Sequence, residues 1–99
     1  MKKIQIENIQ IIPVRPQNGL VGFASCELND QFHIGNIAIY TALNNQLGYR
    51  LVFPTKKLKS GQQVPCFYPF RQLAEEVISK SIIEEYCRLM GNLNAGNYV

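Results

Sequence analysis

The chain has 99 residues, 46% of them hydrophobic and 17% charged, and a formal net charge of +3. This length and apolar content predict one compact domain over residues 1–90, able to bury a core without disulfides or metal, followed by a flexible tail over residues 91–99 that is rich in glycine and asparagine. No apolar run is long enough for a signal peptide or a membrane span, so we expect a cytoplasmic protein with no membrane partner.

The N-terminal third predicts two strands joined by a turn-rich segment. The run IQIENIQII alternates polar and apolar residues but slips in phase at residues 7–8, which is typical of a strand with a bulge. Prolines and a glycine then predict turns over residues 13–19. The run LVGFASCEL predicts the second strand, and the asparagine and aspartate at residues 29–30 predict a hairpin turn after it.

The middle of the chain predicts two more strands and a hairpin rich in lysine. QFHIGNIAIY slips in phase at Gly35, which marks a second bulge, and YRLVFP is short and β-rich. In the stretch FPTKKLKSGQQVP, Pro54 ends a strand and Gly61 lets the chain reverse. We expect QQVPCFYP to form the last strand, at a sheet edge, because Pro65 has no amide hydrogen to donate.

Between residues 71 and 90 the apolar period changes to that of a helix. One stripe comprises Ala74, Ile78, Ile82, Tyr86 and Leu89, and a second comprises Ile83, Cys87 and Met90. Leu73 and Val77 widen the apolar surface further. We therefore expect the helix to meet a second surface besides the local sheet, most simply another subunit. Together the elements predict an α+β fold, with an antiparallel β-sheet of about five strands and a long C-terminal helix.

Residues that carry enzyme or metal chemistry are sparse. His33 is the only histidine, and Cys26, Cys66 and Cys87 lie far apart without a CxxC pair, which disfavours both a disulfide framework and a zinc site. We interpret the cysteines as reduced, mostly buried thiols. The chain has no phosphate-binding loop and no HExxH motif. We expect a protein that is not an enzyme and that uses no cofactor and no small-molecule substrate.

Basic residues are concentrated in the middle of the chain. Residues 31–74 contain no aspartate or glutamate, whereas acids collect in the predicted helix. This asymmetry favours attraction of a polyanion to one face, although a cluster of lysines can also serve simply to keep a surface soluble. The candidate phosphate-contacting residues are Lys56, Lys57 and Lys59, with help from Arg50 and Arg71.

Three aromatic residues lie near these lysines in sequence. Tyr49, Phe67 and Tyr68 offer rings on which unpaired bases can stack. The alternative is that the rings belong to the core or to a sheet face, and this alternative is favoured for Phe67.

The order of these pieces resembles the SpoVG family of small bacterial septation and sporulation regulators, which bind nucleic acid. The similarity runs from about residue 6 to residue 89 and is carried by NIQI, LVGFASCELND, FHIGNIAIY, LVFPTKK and IIEEYCRL. The most specific piece, FPTKK, is similar to the family's Met-Pro-Ser-Lys-Arg segment. The chain departs from the family pattern in the third strand, at Val64, and at the helix start, where Phe70 and Arg71 stand in place of a capping Asn-Ser pair.

The resemblance implies a sheet with a C-terminal helix, a homodimer, and DNA or RNA binding through basic residues around the hairpin. Lys56 and Lys57 would correspond to the family's basic pair. The alternative hypothesis is a scaffold protein that binds another protein through its sheet edge and helix and does not bind nucleic acid.

Overall fold

The protein has an α+β fold in which a long helix follows a run of strands. The computed structural model describes residues 4–44 and 47–94, with side chains as far as residue 91. The elements are β1 (Ile6–Gln17), β2 (Leu20–Leu28), β3 (Phe32–Thr41), β4 (Tyr49–Val52), β5 (Thr55–Lys57), β6 (Gln63–Pro65) and α1 (Gln72–Asn94). Strands β1 to β4 form an antiparallel sheet in that order, and β5 and β6 form a separate two-stranded sheet. The predicted fold class is confirmed.

The strands of the lysine-rich hairpin stand apart from the main sheet. The predicted last strand does not extend that sheet but pairs with its hairpin neighbour β5. The physical reason is that β5 and β6 are three residues each and mostly exposed, so they offer no apolar face for the main sheet to bury. At the other end, α1 continues past its predicted end at Met90, and residues 95–99 of the predicted tail lie outside the described residues.

Tight turns with two consecutive positive φ values connect the first three strands. Asn18 and Gly19 join β1 to β2 with φ of 54° and 89°, and Asn29 and Asp30, with φ of 51° and 57°, join β2 to β3 together with Gln31. Two consecutive residues with positive φ form the primed hairpin turn, whose twist matches that of the flanking strands. The turn predicted at residues 29–30 is confirmed. Asparagine and aspartate serve there because they tolerate the left-handed region better than most residues.

Two prolines lie inside a strand rather than in a loop. The predicted turn-rich connection over residues 13–19 is wrong in its extent, because β1 continues through Pro13 and Pro16 to Gln17, which pairs with Leu20. Proline is tolerated because β1 is an edge strand of the sheet, where the missing amide hydrogen removes no ladder bond if that side faces solvent.

Both predicted bulges are present, and each contains an asparagine in the left-handed region. Asn8 has a φ of 52° at the register shift of β1 on β2, and its side-chain amide donates to Glu27 Oε1 at 2.8 Å. Asn36 has a φ of 58° at the shift of β3 on β2. The left-handed residue of the second bulge is thus Asn36 and not its neighbour Gly35. The bulge adds one residue to β3 and so shifts the alternation of side chains between the two faces. As a result, Ile34 and Ile37 on either side of the bulge both pack in the core.

Helix α1 packs across one face of the main sheet to form the core. The buried cluster comprises Val21, Ala24, Cys26, Ile37, Ile39, Ile78, Ile82 and Tyr86. The first predicted helical stripe therefore supplies the helix side of the core, and Ile82 at its centre is fully buried. The opposite face of the sheet is not covered by the helix.

A glycine and an aromatic pair set how closely the helix approaches the sheet. A Cβ at Gly22 would lie 3.2 Å from the backbone oxygen of Ile12 and 3.4 Å from the ring of Tyr86, closer than most real side chains come. Tyr86 also meets Tyr49 of β4 edge to face, with ring centroids 5.2 Å apart. This geometry is the favourable one for aromatic pairs and joins α1 to the far edge of the sheet.

The open face of the main sheet carries an apolar row across all four strands. Ile12, Phe23, Ala38 and Val52 lie directly opposite one another in the strand pairing. Ile12 is 66% exposed, Phe23 36% and Val52 37%. We call these four residues the open-face row.

The cysteines are free thiols, and only one of them is buried. Cys26 lies in the core, whereas Cys66 and Cys87 are exposed, so the prediction of mostly buried thiols is wrong. Cys66 directly follows the exposed hairpin, and Cys87 lies on the side of α1 that faces away from the core. Burial raises the pKa of the Cys26 thiol, because the thiolate is poorly solvated in the core.

Candidate nucleic-acid interface

The lysine-rich hairpin is a two-stranded ribbon with both faces in solvent. Its pairs are Thr55 with Pro65, Lys56 with Val64, and Lys57 with Gln63. All residues from 55 to 63 are exposed. We call residues 55–65 the lysine ribbon.

The tip of the lysine ribbon reverses at the predicted glycine. The Leu58 amide donates to the Gln62 carbonyl at 2.8 Å, and the Gly61 amide donates to the Leu58 carbonyl at 2.9 Å. Gly61 has a φ of 92°, which only glycine adopts without strain. Lys59 lies within this turn, so its ammonium group is carried at the tip.

The strand geometry places Lys56 and Lys57 on opposite faces of the ribbon. Successive side chains of a strand alternate between faces, and directly paired residues share a face. Thr55 and Gln63 share the face of Lys57, and the Thr55 hydroxyl donates to Gln63 Oε1 at 3.0 Å. Lys56 shares the other face with Val64. The two lysines therefore cannot meet the same phosphate group from one side.

The face that carries Lys57 continues down to two aromatic rings. The Cys66 amide donates to the Pro54 carbonyl at 3.0 Å, which extends the ladder by one step below β5 and β6. Phe53 and Phe67 then meet edge to face with ring centroids 6.0 Å apart. By strand alternation these rings lie on the same face as Lys57.

The two candidate arginines lie on different surfaces. Arg50 is paired with Tyr40 on the open face of the sheet, and its guanidinium carbon lies 4.9 Å from the Tyr40 ring centroid. Arg71 directly precedes α1, and its guanidinium carbon lies 5.2 Å from the Phe70 ring centroid. The structure thus brings Arg71 to the side of the sheet where the helix packs and leaves Arg50 on the other side.

The ribbon lysines are not neutralised by neighbouring acids. Over residues 4–44 and 47–91, the ion pair that forms joins Arg88 to Glu85 on α1, and Lys56, Lys57 and Lys59 have no carboxylate partner. Their positive charge is therefore available to a ligand.

Two of the three candidate stacking residues have their rings packed against other rings. Tyr49 is half-buried against Tyr86, and Phe67 is half-buried against Phe53. Tyr68 is 58% exposed and remains accessible to a ligand. Phe67 and Tyr49 therefore both follow the alternative interpretation, in which the ring belongs to the core or to a sheet face.

An aromatic groove opens beside the base of the lysine ribbon. It has a volume of about 470 Å³, and we define it by Phe32, Phe53, Phe67, Tyr68 and Phe70. Of these, Phe32 is 65% exposed and Phe70 77%. The sequence interpretation did not identify either of these two residues as a stacking candidate. Phe32 was missed because it is remote from the lysines along the chain.

The sequence at the helix start contained a feature that could have drawn attention to Phe70. Phe70 and Arg71 occupy the place of the usual capping pair, and Arg71 supplies only its backbone carbonyl, which accepts from the Glu75 amide at 3.0 Å. The Arg71 side chain packs on Phe70 instead of capping the helix.

This chain matches the model of a known protein family. The family model described as SpoVG matches residues 4–88, which is most of the chain. The chain belongs to the SpoVG family. It is accordingly a SpoVG-type regulatory protein, and the suspected resemblance is confirmed. A search of curated proteins found no match to this chain.

Neither a metal-binding group nor a membrane-spanning helix occurs in the described part of the SpoVG domain. Within the ranges that the structure describes, no three His, Cys, Asp or Glu side chains come together as a metal-binding group. In the same part of the chain, no helix is both long enough and apolar enough to cross a membrane. The lysine ribbon and the aromatic groove are the candidate functional surfaces.

Proposed function

We propose that this SpoVG-family protein is a non-enzymatic regulator that binds DNA or RNA by contacting phosphates through the lysine ribbon. The observation that supports the proposal is the ribbon: its three lysines are exposed and have no carboxylate partner among the described residues. Lysine ammonium groups act as flexible point charges, which suit phosphate oxygens and carry little base specificity. The family resemblance adds septation or sporulation as the regulated process, and the sequence expectation adds the cytoplasm as the place of action.

The two arginines have supporting roles in this proposal. Arg71 adds a positive charge beside the aromatic groove, close to the base of the ribbon. Arg50 adds charge on the open face of the sheet. A ligand held on the ribbon alone would therefore depend more on Arg71 than on Arg50.

We expect the wild-type protein to bind oligonucleotides at low salt and to lose affinity steeply as salt is raised. If each ribbon lysine neutralises one phosphate of a duplex, the log–log slope of affinity against salt should be at least about 2.7 in magnitude. Fluorescence anisotropy over about 50 to 200 mM salt, a range in which such slopes are readily measured, provides the test. Absence of binding at the lowest salt would contradict the proposal and favour the scaffold alternative.

We also propose that the protein forms a homodimer through the open-face row. A continuous apolar row across four strands is unusual on a surface that only water covers, and such surfaces are typical of protein interfaces. A symmetric dimer uses the same surface patch on both subunits, and an apolar row can pack against a second copy of itself without charge repulsion. The subunit contact that we propose lies on the sheet, whereas the sequence analysis had suggested the helix.

Phe23→Asp should convert the proposed dimer to a monomer, because each subunit would bury an unpaired carboxylate in the apolar interface. Sedimentation velocity at micromolar concentration measures the change. The matched control is Leu73→Asp, since Leu73 is 65% exposed on α1 and lies outside the open-face row. A monomeric wild type, or a dimer that only Leu73→Asp disrupts, would rule out the open-face interface.

A further inference from the structure

The aromatic groove exposes more aromatic surface than folding alone explains. Phe32, Tyr68 and Phe70 are each more than half exposed at the edge of one concave site. The volume of about 470 Å³ is within the range of small-ligand pockets. Clusters of exposed apolar side chains mark interaction sites, whereas single exposed residues carry no such meaning.

The charge of the groove restricts what can occupy it. The lining is mostly apolar, Arg71 is its one Arg or Lys residue among the residues that the structure describes, and none of those described lining residues is Asp or Glu. The guanidinium of Arg71 packs on the Phe70 ring, which combines a flat stacking surface with a positive charge. A planar group attached to an anionic backbone matches this combination, and an apolar peptide does not use the charge.

The groove is continuous with one face of the lysine ribbon. Phe53 and Phe67 form part of the groove and share the ribbon face that carries Lys57. Lys57 is four residues beyond Phe53 along an extended chain, which corresponds to about 13 Å. A flexible strand with bases in the groove can therefore extend its phosphates past Lys57, whereas a duplex keeps its bases paired and stacked.

We propose that the aromatic groove holds unpaired nucleobases, so that the ligand class of this protein is single-stranded DNA or RNA. Bases stack on Phe32, Tyr68 and Phe70, and the backbone runs along the Lys57 face of the ribbon. Stacking of this kind tolerates any base, because every base has a ring face. This inference rests on the proposed function, since it names the form of the nucleic acid that the ribbon binds.

The test compares probes that have the same phosphates but differ in their bases. The full-length protein is titrated into a labelled strand of about twelve thymidines, a length within the site sizes of single-strand-binding folds. The same strand made of abasic nucleotides and a duplex of equal length serve as comparison probes, and a uridine strand extends the test to RNA. We expect the thymidine strand to bind at least about five-fold more tightly than the abasic strand.

Variants of exposed groove residues assign the effect to the groove. Phe32→Ala and Phe70→Ala should each weaken binding of the thymidine strand by about five-fold or more and leave the salt slope and abasic binding unchanged. Leu73→Ala is the control, since Leu73 is exposed to the same extent as Phe32 but does not line the groove. Circular dichroism confirms that each variant is folded.

The outcomes separate this inference from the proposed function. If the thymidine and abasic strands bind equally, or if the groove variants bind like wild type, the groove inference is wrong and the ribbon proposal stands. If the wild type binds none of the probes, both fail. A change in sedimentation of the Phe70→Ala variant without a change in affinity would show that a second protein copy fills the groove, and would also overturn the inference.

Photocrosslinking gives a readout that does not depend on a variant. A thymidine strand carrying 4-thiothymidine is irradiated with the wild-type protein, and the crosslinked peptides are identified by mass spectrometry. Crosslinks at Phe32, Tyr68 or Phe70 support the groove. Crosslinks confined to the lysine ribbon contradict it.

Discussion

Replacement of Ile82 by alanine should lower the free energy of unfolding by about 2–5 kcal/mol. Ile82 is fully buried at the centre of the contact between α1 and the sheet, so its truncation removes apolar burial and leaves a cavity. A domain of this size is stable by only about 5–15 kcal/mol, so the loss would be a large part of the total. Urea denaturation followed by circular dichroism measures it.

Two further variants calibrate the Ile82 result. Ile82→Val removes one methylene and should cost about 0.5–1.5 kcal/mol. Leu73→Ala changes an exposed residue on the same helix and should stay within about 0.5 kcal/mol of wild type. Equal effects of Ile82→Ala and Leu73→Ala would contradict the placement of the helix on the sheet.

Simultaneous alanine substitution of Lys56, Lys57 and Lys59 should reduce the salt slope of nucleic-acid binding by about 2.7 per protomer on duplex DNA. The reason is that each phosphate contact releases counterions from the DNA when it forms. A variant that lacks three such contacts therefore releases fewer counterions on binding. Between about 50 and 200 mM salt, the wild type should consequently lose about 40-fold more affinity than the variant loses. All three side chains are exposed, so the fold should be unaffected.

The matched control for this variant keeps the charge and changes only the chemistry of the side chain. Replacing the same three lysines by arginine should preserve the salt slope, because guanidinium groups also neutralise phosphates. A triple alanine variant that binds with the wild-type affinity and slope would show that the ribbon is only a solubilising surface. In that case the correspondence of Lys56 and Lys57 to the family's basic pair would not reflect nucleic-acid binding by this protein.

The local features of the fold were predictable from the sequence. The phase slips at residues 7–8 and at Gly35 became bulges, because alternation within one strand records which side chains face the core. The extent of β1 was mispredicted, because proline disrupts a strand only where its amide would join the ladder, and the edge position of β1 is a property of the whole sheet. The separation of β5 and β6 from the main sheet likewise depends on burial that no single segment displays.

The candidate site was predictable in its charge and not in its aromatic part. Lys56, Lys57 and Lys59 stand out because they are adjacent in sequence and free of neighbouring acids. Tyr49 looked equally accessible, but its ring packs against Tyr86 in the core. Proximity along the chain to the lysines was therefore a poor guide to which rings are exposed.

By itself, the amino-acid sequence determined the order of the elements, the turns at their ends and the positive charge of the hairpin. These properties depend on the φ preferences of single residues and on periodicity within one segment. Only the tertiary structure decided that Lys56 and Lys57 lie on opposite ribbon faces and that Phe32 and Phe70 meet at one groove. Strand register and the packing of the segment before α1 set those positions, and both depend on contacts between residues that are far apart in the chain.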